Sequence, residues 1–343
     1  MEGNLEESKD PTVPVTVLTG FLGSGKTTIL ARLLRDPRFT RTAVIINEFG
    51  EIGLDHELLE QSREELVLLS NGCVCCTVRG DLLSTLKHID GRRAGFNVDR
   101  VVIETTGLAD TAPILHSLMA DLPTVARFRL EHVVTVVDGF NGLETLNEHA
   151  VARRQVAMAD RLVCTKLDLI GGKAANALRE RLSALNHFAP QHAADHGAID
   201  PDLMFRVRES SKDGTSGDPW LEGLEEAAHA GAHDHDHDVE GHKHHDADIE
   251  SYSIVREEPI SMAKFESWLR MITAMRGADL LRVKGIVNVL DHPDRPVVIH
   301  GVQHIFHPPR VLDKWPGTDR RTRLVFITRN IARDDIDATL QVF

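Results

Sequence analysis

Eight residues near the start of the chain, Gly20-Phe21-Leu22-Gly23-Ser24-Gly25-Lys26-Thr27, fit the pattern G-x-x-x-x-G-K-[ST] in full. Glycines at these places let the backbone curl around an anion so that successive N–H groups point inward, and a helix starting at Lys26 adds its dipole. Lys26 is placed to reach the β and γ phosphates of a nucleoside triphosphate, and the Thr27 hydroxyl to ligate Mg²⁺. Gly20, Gly23, Ser24, Gly25, Lys26, Thr27 and Thr28 form the expected phosphate-binding set.

Three other segments bear on the same chemistry. Thr165-Lys166-Leu167-Asp168 ends an apolar run, and a carboxylate there can accept two hydrogen bonds from guanine, which adenine cannot supply. The run is similar to the N-K-x-D guanine motif, with Thr165 in place of Asn, so Thr165, Lys166 and Asp168 are the expected base contacts. Glu104 closes another apolar run in Ile103-Glu104-Thr105-Thr106-Gly107. A strand-end acid can approach Mg²⁺ through water, and Gly107 can meet the γ-phosphate. Lys26, Thr27 and Glu104 are thus the catalytic candidates, and Asn47-Glu48-Phe49-Gly50-Glu51 is a candidate first switch. No residue stands out as the group that orients water.

Cys73, Cys75 and Cys76 put three thiols within four residues. Thiolates so spaced favour Zn²⁺ or Cu⁺ over hard cations, and a tetrahedral ion needs a further ligand from Glu48, Glu51, a histidine or water. Cys164 stands alone in an apolar run and reads as core. Residues 229–245 hold seven of the 19 histidines, interleaved with acids, which suits weak, exchangeable sites for Zn²⁺, Co²⁺ or Ni²⁺ or a plain solvated linker. His300, His304 and His307 read as sheet-face or loop histidines.

These groups need a scaffold that brings strand ends together. Apolar, β-branched runs at 13–19, 42–46, 66–69, 101–103, 132–137 and 162–164 predict buried strands, with the thiols following the third. Helical periodicity at 27–34, 81–89, 112–120, 150–159 and 174–188 alternates with them, which predicts a mostly parallel sheet covered on both faces. Residues 210–250 lose periodicity and cannot carry a core. Beyond them, strands at 252–256, 280–290, 297–306 and 324–328 and helices at 262–275 and 333–340 predict a smaller α+β domain. The expected organisation is a flexible segment 1–12, a nucleotide domain 13–209, a His/Asp-rich linker 210–250 and a C-terminal domain 251–343.

Composition excludes other classes. With 42% hydrophobic and 27% charged residues the chain is globular rather than fibrous or disordered. A formal charge of −13 argues against a nucleic-acid or anionic-membrane partner. Past residue 250 the chain carries 14 basic and 11 acidic residues, so the two parts differ in sign. Four cysteines are too few for a disulfide framework. The first ten residues lack a secretory pattern, and no run reaches the roughly 18 apolar residues of a membrane span. A cytoplasmic protein is expected.

The order GFLGSGKTT, NEFGEIGLD, NGCVCCTVRGDL, ETTGLADTAPI, TKLD, histidine-rich stretch and small C-terminal domain closely resembles the CobW-type P-loop GTPases over residues 13–330. That family comprises metallochaperones and metal insertases. The resemblance implies a GTP-binding domain, a CobW-type C-terminal domain, slow GTP hydrolysis and a metal, often Zn²⁺, at Cys73, Cys75 and Cys76. Ile46 stands where several relatives carry an acid, so a second metal site there is not expected. The expected function is nucleotide-controlled delivery of zinc to an apo-metalloprotein client recognised by the C-terminal domain, with homodimerisation left open. Two alternatives are a metal store with a structural nucleotide site, and an ATP-dependent enzyme on the same loop.

Overall fold

The computed structural model describes residues 12–47, 67–68, 74–77, 82–96, 98–119, 127–204 and 249–342. In chain order the first part comprises β1 (Val13–Thr19), α1 (Lys26–Leu33), β2 (Thr42–Asn47), β3 (Val67–Leu68), β4 (Val74–Thr77), α2 (Leu82–Phe96), β5 (Arg100–Thr105) and α3 (Ala112–Met119). It continues with β6 (Phe128–Asp138), α4 (Gly142–Glu148), α5 (Ala150–Ala157), β7 (Arg161–Thr165), α6 (Gly172–Leu185), β8 (Gln191–Ala193) and α7 (Pro201–Met204).

β1 is buried along almost its whole length, as β-branched residues with no polar alternation require of a central strand covered on both faces. It pairs in parallel with β5 on one side and β6 on the other. The sheet order is β3-β4-β2-β5-β1-β6-β7-β8, parallel throughout except for the antiparallel β3–β4 pair. The chain crosses from β5 past β1 to β6, so the strand order reverses beside β1. Such a reversal opens a crevice at the carboxyl ends of the strands.

The second part comprises β9 (Ile249–Arg256), α8 (Met262–Arg276), β10 (Arg282–Val287), β11 (Val297–Val302), β12 (Ile305–Phe306), β13 (Arg310–Val311), β14 (Thr322–Arg329) and α9 (Arg333–Val342). Its antiparallel sheet runs β12-β11-β10-β14-β9, with β13 on β11. Ser261 caps α8 by accepting from the Lys264 N–H. Phe265, Trp268 and Ile272 lie on one helical stripe and are buried, Trp268 meeting Phe326 of β14 edge-on at 6.2 Å. The expected pairing of a mostly parallel α/β unit with a smaller α+β unit is what the fold contains.

The expected elements shift in several places. The run 297–306 is two strands, because Gln303 turns the chain at φ 52°. α4, β8, α7 and β13 are short elements that periodicity does not flag. The thiol segment, expected to follow the third strand, carries a strand of its own: β4 pairs in parallel with β2, Cys75 beside Val44 and Cys76 beside Ile45.

The two sheets share a core. Leu115 and Leu118 of α3 belong to one apolar cluster with Leu281, Val302 and Ile327 of the second part. A His116 ring nitrogen lies 3.1 Å from the Val302 carbonyl. Beside this contact, both oxygens of Asp160 accept from Arg282 Nη2 at 3.1 Å, and Lys284 pairs with the same carboxylate.

Candidate nucleotide site

The loop between β1 and α1 wraps so tightly that a Cβ on Gly20 would lie 2.2 Å from the Val136 carbonyl of β6. Only glycine fits there. Lys26 is the first residue of α1 and is buried. Its ammonium donates to the Gly20 carbonyl at 2.7 Å and the Phe21 carbonyl at 3.1 Å, which keeps the charge over the loop. Gly23, Ser24 and Gly25 follow the same curve into the helix. Thr28 stands on the exposed side of α1, its methyl beside Gly197.

The side chains of Thr27 and Glu104 meet. The Thr27 hydroxyl donates to Glu104 Oε1 at 2.6 Å, and Glu104 is buried at the end of β5. A hydroxyl and a carboxylate side by side at a phosphate loop are hard oxygen donors of the kind that suits Mg²⁺. Gly107 lies against the loop: a Cβ there would come within 2.6 Å of the Leu22 nitrogen.

The base-contact candidates divide. Thr165 is buried, and its hydroxyl donates to the Ser24 carbonyl at 2.8 Å and the Val137 carbonyl at 3.3 Å. Its side chain therefore ties the phosphate loop to β6 and β7, a structural task that a threonine in place of asparagine can perform. Lys166 donates to the Gly23 carbonyl at 2.9 Å and to Asp138 Oδ2 at 2.7 Å. Asp168 is exposed on the turn after β7.

Cys73, Glu48 and Glu51 lie outside the described residues, as does the histidine run 229–245, and for Cys75 and Cys76 the backbone register alone is described. Cys164 is core, as expected, and burial pushes its thiol up to about 11.

Two residues of the site escape a reading of motifs. Asp138 closes β6, where its carboxylate accepts from the Phe140 and Asn141 N–H groups at 2.8 and 3.2 Å. Burial pushes its pKa up, but the Lys166 hydrogen bond and these two N–H groups outweigh it and hold the group below its ordinary value. Its sequence signal is an acid ending an apolar run before a glycine. Gln155 is a buried polar residue of α5 that donates to the Gly107 and Ala109 carbonyls at 3.2 and 3.1 Å. Its signal is a polar side chain between the apolar Ala152 and Val156. A cavity of about 30 Å³ next to the loop, lined in part by Leu22, Asp138, Asn141 and Gln155, has room for a water and not for a base.

Residues 14–193 match the model of the CobW/HypB/UreG nucleotide-binding domain, and residues 249–343 that of the cobalamin synthesis protein cobW C-terminal domain. The zinc chaperone YjiA of Escherichia coli is 31% identical over 333 residues, covering 95% of this chain and 97% of its own. The zinc-regulated GTPase metalloprotein activator 1 of Schizosaccharomyces pombe is 36% identical over 202 residues, 57% of this chain and 48% of that protein. The crystal structure of Zn(II)-bound YjiA GTPase from E. coli superposes with a TM-score of 0.71 at 28% identity, over 97% of this chain and 99% of that one. With both domain models matched in order and a relative aligned along almost the whole length, the chain belongs to the CobW/HypB/UreG family and carries the cobW C-terminal domain.

Proposed function

We propose that this chain is a GTP-hydrolysing metallochaperone that carries zinc and delivers it to an apo-metalloprotein under nucleotide control, in the cytoplasm. The observation that carries the reading is the strand order β4-β2-β5-β1, all parallel. It sets the thiol strand, the strand entering Asn47 to Glu51, the strand ending at Glu104 and the strand entering the phosphate loop side by side at one sheet edge. Relatives named zinc chaperone and GTPase metalloprotein activator support the same reading. Among the described residues no helix is long and apolar enough to cross a membrane.

In this reading Gly20 to Lys26 hold the phosphates by backbone N–H groups, and Lys26 turns from the loop carbonyls to the β and γ phosphates. Thr27 and Glu104 hold Mg²⁺, which supplies charge stabilisation at the transferring phosphoryl group. Lys166 and Asp168 face the guanine, with Thr165 keeping the loop against their strand. The zinc cargo rests on Cys73, Cys75 and Cys76, with Glu48 or Glu51 as the ligand that moves with the first switch. GTP orders that switch and its hydrolysis releases it, so metal is held in one nucleotide state and surrendered in the other. The C-terminal domain, of opposite charge balance, recognises the client.

Calorimetric titration of Zn²⁺ in the presence of a GTP analogue or GDP tests the reading. Affinities should differ by about five- to 150-fold, the usual span of coupling between two sites, with metal altering GTP affinity by the same factor. Replacing Cys75 and Cys76 with Ser should remove the tight site and the coupling while metal-free GTP binding stays unchanged. Equal zinc affinity in both nucleotide states of the parent would mark a metal store instead.

A further inference from the structure

The loop that follows Glu104 is held from behind by a residue of α5. Gln155 is 1% exposed, and its amide nitrogen reaches the carbonyls of both Gly107 and Ala109. Two carbonyls can accept only from the NH₂ end of the side chain, so the amide has one orientation. Its Oε1 is buried with no hydrogen-bond partner among the described residues. A buried amide left half satisfied is costly, and the tether to the loop is what it secures.

The tether sits on a fixed mount. The Gln155 carbonyl accepts from the Thr135 hydroxyl of β6 at 2.7 Å. Asn186 donates to the carbonyls of Val156, Ala157 and Ala159 at 3.0, 3.2 and 2.9 Å, closing the end of α5. The neighbouring Arg154 pairs with Asp110 at 3.5 Å, and Asp110 in turn accepts from the Ala112 N–H at the start of α3. Both ends of the segment 107–110 are thus gripped by consecutive residues of one helix.

A planar trans peptide sets its N–H opposite its C=O. Holding the Gly107 and Ala109 carbonyls toward α5 therefore turns the Leu108 and Asp110 N–H groups to the other side of the segment. Gly107 meanwhile rests on the backbone of Leu22 in the phosphate loop. We infer that Gln155 is a positioning residue for triphosphate recognition: it fixes how the segment 107–110 presents its backbone to the γ-phosphate end of the loop, and so sets the preference for GTP over GDP. The inference rests on the nucleotide reading proposed above and adds to it a determinant outside every motif of that reading.

The test compares a non-hydrolysable GTP analogue with GDP in calorimetric titrations of the full chain and of Gln155→Ala and Gln155→Met, the latter preserving side-chain volume should the alanine variant fail to fold. The analogue should weaken about tenfold on loss of the two hydrogen bonds, with GDP affinity within about twofold of the parent. Gln155→Glu should weaken the analogue further at neutral pH, because an ionised carboxylate faces two carbonyls, and should recover as acidification restores an O–H donor. Equal weakening of both nucleotides, or no change in either, overturns the inference and leaves Gln155 a core residue. A parent that binds neither nucleotide overturns the nucleotide reading itself, and the inference with it.

Discussion

Asp160 and Arg282, 122 positions apart, lock the parallel sheet to the antiparallel one: both carboxylate oxygens accept from one guanidinium nitrogen at 3.1 Å. The two side chains are 6% and 4% exposed. Burial alone would raise the Asp160 pKa, but Arg282 and Lys284 hold it well below the ordinary carboxylate range. Asp160→Ala leaves two cations buried without their counter-charge and should cost about 3 to 5 kcal/mol. Urea unfolding of parent and variant measures it. A change under about 1 kcal/mol would mean that apolar packing carries the contact unaided.

Close by, His132 has its pKa lowered to about 3, chiefly by burial and then by the Arg161 charge. In the unfolded chain it titrates near the ordinary value of about 6.5. Between those values the unfolded state binds the proton and the folded state does not, so this group lowers stability as pH falls below about 6.5. At pH 5 the loss should be about 2 kcal/mol. Urea midpoints at pH 7 and pH 5 should move closer together in His132→Phe than in the parent. An unaltered pH dependence would assign the acid sensitivity to other groups.

Lys26→Ala removes the ammonium that caps the loop carbonyls of Gly20 and Phe21. Charge-assisted hydrogen bonds to phosphate contribute about 1.5 to 3 kcal/mol each, so nucleotide affinity should fall by about 100-fold or more. Fluorescent-nucleotide titration reads the loss, and circular dichroism checks that the fold persists. Undiminished affinity would remove the phosphate-loop assignment.

Asp168→Asn replaces an acceptor-only carboxylate by a mixed donor and acceptor. GTP affinity should fall by about tenfold or more, and xanthosine triphosphate, whose ring presents the complementary carbonyl, should gain. Competition between the two nucleotides reports the exchange. If neither affinity moves, the base lies elsewhere than on the turn after β7.

By itself the sequence determined the local features. Gly20 to Thr27 specify their loop because glycine spacing and the flanking strand and helix patterns act within a few residues. The apolar runs announce a parallel sheet because residues buried on both faces leave no room for polar alternation. Thr27 opens the helix after β1 and Glu104 stands at the end of β5, so the parallel pairing of those two strands brings them together. The tertiary structure alone decided what depends on distant pairing. Whether the thiol segment is loop or strand turns on β2 being available beside it, a matter of long-range register that four residues cannot encode. The hydroxyl of Thr165 bonds Ser24, 141 positions earlier, and Gln155 reaches Gly107, 48 positions earlier. No periodicity predicts such hydrogen bonds, because each buried polar group takes whichever partner the packed neighbours present.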